Sequence, residues 1–408
     1  MVVGFIKELK QVWDRQHLNW RTVVTRQIFN RFFNQMTAQY SNIYIRSLGA
    51  SPVELGAVNS VSGIGSSLIS LPLGYLQDNY SIRKIYLIGV ALLSLVPFFY
   101  ATATSWEYIA IAILISGLCM RLGSCIVICD LSLPNKDRAT GKALCEGVGA
   151  LPTILAPTLA AVIVTYLGGM NADGIRPLYW IKFIVSIILF LFVYRRLQEV
   201  ERPIKEKRKL DIIGDFREVF TRGTATKRWL LFLSLNMFTS GMMMPYRYPY
   251  ANEVKGADQF IIGGITTAMI LTEAIFSTPL GRMADRIGRK KLFYFLTPLF
   301  CAANLIYIWA PSSEWLILAG FLMGFRMLSA FAYGSMTPEL VPSDCIGRWR
   351  GLIGLCTGLL TIPAPIIGGY IWETLGPEWV FIIPVVIDLF VRVPVIYSVP
   401  ETLLGSKD

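Results

Sequence analysis

Charge is scarce in this 408-residue chain: Asp, Glu, Lys and Arg make up only 16% of it, against about 25% in soluble globular proteins. Histidine is scarcer still, with His17 alone. One histidine near the N-terminus cannot supply a His metal cluster, a His-based catalytic pair or a His proton relay. No GxxxxGK(S/T) run occurs, so a phosphate-cradling loop and ATP as driver are excluded. The seven cysteines are scattered without paired spacing and read as small apolar residues. With no nucleophile–base pair and no metal-ligand cluster in the pattern, neither an enzyme nor a resident cofactor is expected.

What the chain has is long apolar runs. It is 54% hydrophobic with a mean hydropathy of +0.53. A helix needs roughly 20 mostly apolar residues to cross a hydrocarbon core about 30 Å thick. Twelve runs qualify, at about 22–47, 54–77, 85–103, 107–131, 143–167, 177–197, 228–249, 259–281, 291–310, 314–337, 350–373 and 378–398. One long connection, 198–227, is polar and reads as a linker. The expected organisation is an arm (1–21), a six-span bundle (22–197), the central loop (198–227), a second six-span bundle (228–400) and a tail (401–408).

The cations fix an expected topology. Lys and Arg collect in cytoplasmic loops. With the N-terminus inside, most of the 38 cations fall on the arm and the even-numbered loops, whereas the outer loops and outer helix ends hold Arg46, Arg176, Arg247 and Lys255. An even number of spans then places both termini in the cytoplasm. The net charge of +11 is therefore a topology signal, and no nucleic-acid partner is implied. In the arm, Phe5, Leu9, Val12 and Trp13 share one side, the pattern of a helix lying on the inner membrane surface.

The chain also repeats itself. Gly49, Gly56, Gly74, Asp78 and Lys84 recur as Gly256, Gly263, Gly281, Asp285 and Lys291, each 207 residues on. "APTLAAVIVTYLGG" from Ala156 recurs as "APIIGGYIWETLGP" from Ala364. Two parallel six-span halves of one ancestry mark a transporter whose site lies near mid-membrane.

Twelve spans in two halves, a central cytoplasmic loop and "GRMADRIGRK" between spans 8 and 9 resemble the major facilitator superfamily. Gly281, Asp285, Arg286, Gly288, Arg289 and Lys290 match the loop motif of that family at every signature position. The first-half copy, "GYLQDNYSIRK", keeps Gly74, Asp78, Arg83 and Lys84 and departs at Asn79 and Ser81. The resemblance implies an all-α fold of two pseudo-symmetric six-helix bundles, and a cytoplasmic gate built on these residues. It places Asp285 against Arg138 or Lys142, and Asp78 against Arg348 or Arg350. Elementary physics adds that Gly281 permits close helix approach and that Gly288 permits a turn with positive φ.

Charges inside spans cost about 2.5–3.5 kcal/mol each at a helix centre, so they normally face a cavity or a partner. In span 1, Arg31, Asn34, Gln35, Ala38 and Asn42 share one arc, opposite Phe29, Phe32, Phe33, Met36, Tyr40 and Ile43. In span 7, Asn236, Ser240, Met243 and Arg247 share a face. Arg121 lies in span 4 and Arg326 in span 10. The resemblance implies that spans 1, 4, 7 and 10 line the cavity, so Arg31, Asn34, Gln35, Arg121, Asn236, Arg247 and Arg326 are expected at the substrate. A structural pairing of the arginines with a buried acid is the alternative. Arginine suits carboxylate or phosphate, which favours an anionic group on the solute. Glu273 and Glu146 are the expected proton carriers, since burial raises a carboxylate pKa. Asp388 and Arg392, spaced i,i+4, are expected to neutralise each other.

The expectation is thus a monomeric secondary transporter in the cell membrane, working by alternating access on a small organic solute and coupled to protons. A proton-driven exporter of lipophilic drugs is the alternative, with Tyr246, Tyr248, Phe331 and Tyr333 as aromatic walls. A non-transporting receptor or scaffold on the same fold is the third reading.

Overall fold

A computed structural model describes residues 13–14, 16–120, 122–123, 128–129, 132–133, 145, 150–199, 212–342 and 345–402. Within lipid every backbone N–H and C=O must be satisfied inside its own segment, so apolar runs fold as helices. The first half gives α1 (Leu18–Ser47), α2 (Pro52–Asn79), α3 (Ile82–Thr102), α4 (Trp106–Met120), α5 (Ala156–Tyr166) and α6 (Ala172–Arg196). The central loop contributes α7 (Ile212–Arg222). The second half gives α8 (Thr226–Met243), α9 (Gln259–Ile287), α10 (Arg289–Trp309), α11 (Trp315–Glu339), α12 (Ile346–Thr361), α13 (Ala364–Thr374) and α14 (Trp379–Ile387). The chain ends its helices with α15 (Val393–Tyr397).

Seven of the described helical stretches are long and apolar enough to cross a membrane, and α4 and α5 are shorter apolar helices. The central loop is more than a linker. Its α7 packs Val219 against Trp349 and Leu352, and Glu218 takes Arg222 at 2.7 Å and also Arg348. These two guanidinium groups, Arg222 first, hold the Glu218 carboxyl below the ordinary carboxylate range.

Sequence signals mark the helix starts. Ser51 and Glu54 form a reciprocal capping box at α2, with Ser51 N–H donating to Glu54 at 2.6 Å, Glu54 N–H donating to the Ser51 hydroxyl at 3.2 Å, and Pro52 at the first helical position. Asn171 caps α6 and Asp258 caps α9, each accepting a backbone N–H at 2.8 Å. Pro363 separates α12 from α13, because proline cannot continue the hydrogen-bond ladder.

The chain divides by proximity into two compact units. One comprises 1–41 and 64–206, the other 42–63 and 207–408. In the first, α3 packs on α4 and α6, with Trp20, Val23, Tyr86, Val90 and Val193 in its core. In the second, α9 and α10 pack on α11 and α10 on α14, and α8, α10 and α12 contribute Trp229, Phe232, Phe293 and Trp349 to one core. The hairpin at 42–63, the join of spans 1 and 2, belongs by proximity to the second unit. Large apolar side chains such as Ile184, Ile188 and Phe390 stay exposed, as lipid-facing residues do, and Trp309, Trp315 and Trp379 stand exposed at helix ends.

Candidate functional site

The second unit buries an ionic cluster. Span 12 breaks its α-helical pattern at Asp388–Arg392, a single π-helical turn between α14 and α15. Such turns recur at functional sites. Here it carries both charges. Asp388 accepts from Arg392 Nη1 at 2.5 Å through one oxygen and from Arg326 Nη1 at 3.1 Å through the other. Asp388 and Arg392 are fully enclosed, while the Arg326 side chain is 10% exposed. Arg326 also donates to Asn236 Oδ1 on α8 and stacks over Phe300 at 4.3 Å. Arg392 lies over Phe232 at 4.8 Å and Phe293 at 5.5 Å, and its Nε and Nη2 have no acceptor. Among the described residues these two cations share one carboxylate, so the cluster holds one positive charge that no described acid compensates. Its accessible end is Arg326.

Asp388 therefore neutralises Arg392 and is also drawn to Arg326, a contact hidden by 62 residues of sequence. The sequence signal that could have found it is arithmetic: away from their ends, spans 10 and 12 contain two arginines and one acid.

Arg247 stands apart, eleven positions beyond Asn236 on span 7, or about 16 Å at 1.5 Å per residue. There the regular helix has ended. Met244–Tyr246 is a 3₁₀ turn and Tyr250–Val254 a π turn, with Pro245 and Pro249 in the run. The Arg247 guanidinium is buried and donates to the Met269 sulfur at 3.6 Å.

In span 1 the arc opens outward. Asn34 and Ala38 are exposed and Arg31, Gln35 and Asn42 half-buried, while Met36, Tyr40 and Ile43 are buried. Asn42 accepts from Asn59 at 3.1 Å. The neighbours of the arc act as packing contacts instead: Gln39 donates to the Pro157 carbonyl at 3.2 Å, and Thr37 accepts from Lys182 at 2.9 Å. Lys182, on α6 and with no carboxylate beside it among the described residues, was not singled out by sequence reasoning.

Glu273 is exposed on α9. The expectation placed it deep within the span and buried; it is not enclosed by the protein. Glu146 and Arg121 lie outside the described residues, as do Arg138 and Lys142 and the side chains of Gly74 and Asp78. Tyr246, expected as a cavity wall, is buried and donates to the Pro365 carbonyl at 2.6 Å, with the Pro52 carbonyl at 3.0 Å. Tyr248 bonds Thr266 at 2.9 Å.

Tyr246 belongs to a clasp around the 42–63 hairpin. Arg46 donates through Nε and Nη2 to both oxygens of Glu253, each at 2.8 Å, the fork-to-fork geometry of a strong pair. The partners are 207 positions apart, so they occupy equivalent places in the repeat. Val53 N–H donates to Glu373 at 3.1 Å. Gly56 and Gly369 leave no room for a side chain against the Pro365 and Pro52 carbonyls.

On the other side, the motif turn stitches helix ends. Gly288 has φ +106°, which glycine adopts without strain. Arg289 pairs with Glu339 at the end of α11. Glu401 accepts the backbone N–H groups of Arg289 at 3.3 Å and Lys290 at 3.0 Å, capping α10. Lys290 donates its ammonium to the Val399 and Tyr397 carbonyls at 2.5 and 3.1 Å, where a helix C-terminus favours a cation. Asp285 and Arg286 are exposed. Around Gly281 the space is open, so no close helix approach explains that glycine here. In the first-half copy, Ser81 caps α3 and donates to Glu199 at 2.5 Å, and Arg83 reaches the Tyr194 carbonyl at 3.5 Å. Arg348, one expected partner of Asp78, is engaged by Glu218.

Comparisons with known proteins agree with this architecture. The Major Facilitator Superfamily model matches residues 27–264 and 230–405. An uncharacterized MFS-type transporter of Methanocaldococcus jannaschii is 24% identical over 87% of this chain and 89% of its own length. The multidrug resistance protein MdtL of Shewanella sp. (strain ANA-3) is 24% identical over 77% of this chain and 80% of its own. Among solved structures, a mutant of the nucleoside transporter NupG superposes with a TM-score of 0.77 at 15% identity, covering 93% of this chain and 99% of that one. A bacterial homolog of the human lysosomal transporter Spinster, inward-facing, gives 0.68 at 13% identity, covering 92% and 96%. With twelve apolar runs in two repeated halves, an all-helical structure and a family model matched along nearly its whole length, the chain belongs to the Major Facilitator Superfamily of membrane transporters.

Proposed function

We propose that this transporter moves a small organic anion by alternating access, driven by a proton gradient. The observation that carries the reading is the ionic cluster on spans 7, 10 and 12. An unbalanced buried cation is costly, and it is a standing attraction for an anionic group. A solute carboxylate at Arg326 would take the bidentate face of the guanidinium, with Asn236 beside it. Asp388 would then serve Arg392 alone, so binding completes the charge balance rather than disturbing it. On their shared arc in the sequence, Arg31, Asn34 and Gln35 are further candidate substrate contacts in this reading. Arg121 on span 4 belongs to the same reading. Glu273 and Glu146 are the proton carriers in this scheme, as the ionisable carboxylates within spans 8 and 5.

Alternating access needs contacts that close one side and can be broken. The 42–63 clasp and the motif turn (Gly281, Asp285, Arg286, Gly288 and Arg289, with Gly74, Asp78 and Arg83 in the other half) are taken as those gates. The transporter works as a monomer in the cell membrane with both termini in the cytoplasm. Drug export is the second reading, favoured by the multidrug resistance protein among the relatives. A receptor or scaffold would have no use for the unbalanced cation.

Thermal shift on purified protein in detergent separates these readings. A ligand at about 100 times its Kd stabilises by about 2.7 kcal/mol. Organic carboxylates should stabilise the wild type and fail with Arg326→Gln. Stabilisation by lipophilic cations, lost in Glu273→Gln, would replace the anion reading with drug export.

A further inference from the structure

The cations around the loop motif divide into two kinds. Arg289 is paired with Glu339, and Lys290 is engaged by the Val399 and Tyr397 carbonyls. Arg282 and Arg286, at the end of α9, make no ion pair and no hydrogen bond among the described residues. Both side chains are exposed. They stand one helical turn apart, where side chains are neighbours and like charges repel. Asp285, exposed on the same turn, forms an ion pair with neither of them.

These two arginines line one groove. Its volume is about 310 Å³, and its other walls are Pro279, Met283 and Ile287. That is the small end of the range for sites that hold organic molecules. The groove is thus cationic on one side and apolar on the other. It also ends an exposed apolar row. Turning 100° per residue, Phe260, Leu271, Ile275, Arg282 and Arg286 fall in one arc of about 80° on α9. The three apolar members are exposed, while Ile262, Leu280 and Ala284 on the opposite side are buried. An exposed apolar row on a spanning helix meets lipid tails. Arginines that close such a row stand at the level of the headgroups, which their long side chains reach.

We infer that this groove binds an anionic phospholipid. The phosphodiester takes Arg282 and Arg286 together, and an acyl chain leaves past Met283 and Pro279 along the exposed row. A guanidinium offers paired N–H donors that match two phosphate oxygens. One anion between the two arginines also cancels their mutual repulsion. A soluble inorganic anion would answer the charge and leave the apolar walls unused. A zwitterionic lipid brings its own cation beside two others and gains less. Basic pockets at the membrane face are suited to acidic headgroups for the same reasons. The lipid holds the end of α9 immediately before the Gly288 turn, although its binding does not depend on the gating role proposed for that turn.

Purified full-length protein, delipidated in a neutral detergent, is titrated with phosphatidylglycerol, with phosphatidylcholine at the same mole fraction, and with inorganic phosphate alone. Thermal unfolding and native mass spectrometry of retained lipid are the readouts. Phosphatidylglycerol should raise Tm saturably and stay bound, whereas phosphatidylcholine and phosphate should do neither. Arg282→Gln and Arg286→Gln should each weaken phosphatidylglycerol binding several-fold, and the double variant tenfold or more. Both side chains are exposed and unpaired, so these variants should fold. Lys291→Gln removes an exposed cation outside the groove and should bind the lipid as the wild type does. Equal effects of the two lipids, binding unchanged in the double variant, or an equal loss in Lys291→Gln overturns the inference. A saturable response to phosphate that the double variant abolishes also overturns it, because the groove would then serve a soluble anion. The solute reading is tested at Arg326 and this one at Arg282 and Arg286, so the two can fail separately.

Discussion

The second unit contains the same chemical pair at two depths. At the clasp, Arg46 meets Glu253 with side chains 22% and 31% exposed. In the cluster, Arg392 meets Asp388 with both at 0%. The bonds are alike in kind and differ in their surroundings. A partly exposed pair can part and be re-solvated at little cost, so exposed pairs are worth about 0.2–1 kcal/mol. A buried pair has no water to return to, and removing one partner strands the other. The clasp is suited to opening and the cluster to permanence, although both are arginine with a carboxylate.

The largest test of that contrast is Asp388→Ala. It strands two buried guanidinium groups and should cost about 3–5 kcal/mol, read as a fall in Tm and in yield of folded protein. Breaking the other pair should leave the fold intact. Arg46→Ala should cost no more than about 1 kcal/mol and leave Tm nearly unchanged. Its effect should appear in conformation, as up to about fivefold faster maleimide labelling of a Ser60→Cys reporter. Ser60, on the hairpin itself, is buried, with its hydroxyl donating to the Gly56 carbonyl at 2.9 Å. A large fall in Tm without faster labelling would mean that the clasp is as permanent as the cluster.

The smallest effect belongs to Glu218, which lies outside the membrane between Arg222 and Arg348. Its folded pKa lies below the ordinary value, so its stabilising contribution is complete above the ordinary carboxylate value of about 4.3. That contribution fades as the pH falls through the folded value. Thermal unfolding of wild type and Glu218→Gln should differ slightly at pH 7 and converge below about pH 4. A gap that widens on acidification would contradict the assignment.

Sequence alone determined the spans, because a bilayer admits only helices of a certain length and composition. Expected boundaries such as 259–281 and 291–310 correspond to α9 (Gln259–Ile287) and α10 (Arg289–Trp309). The repeat and the loop motif were likewise legible, since they are patterns along the chain. Gly288 could be read as a positive-φ turn from its place after "ADRI". Tertiary structure decided how the charges divide. Composition gave arginines in spans 7, 10 and 12 but not that Arg326 shares Asp388 while Arg247 has no acid. Tyr246 read as an open aromatic wall until its hydroxyl was placed on the Pro365 carbonyl. The amphipathic α7 was hidden in a run that composition marked only as polar. Periodicity reports the face of a helix on which a residue lies. Partnership depends on which faces meet, and for ionic groups in low dielectric that meeting decides whether a charge is balanced, buried or left to attract a ligand.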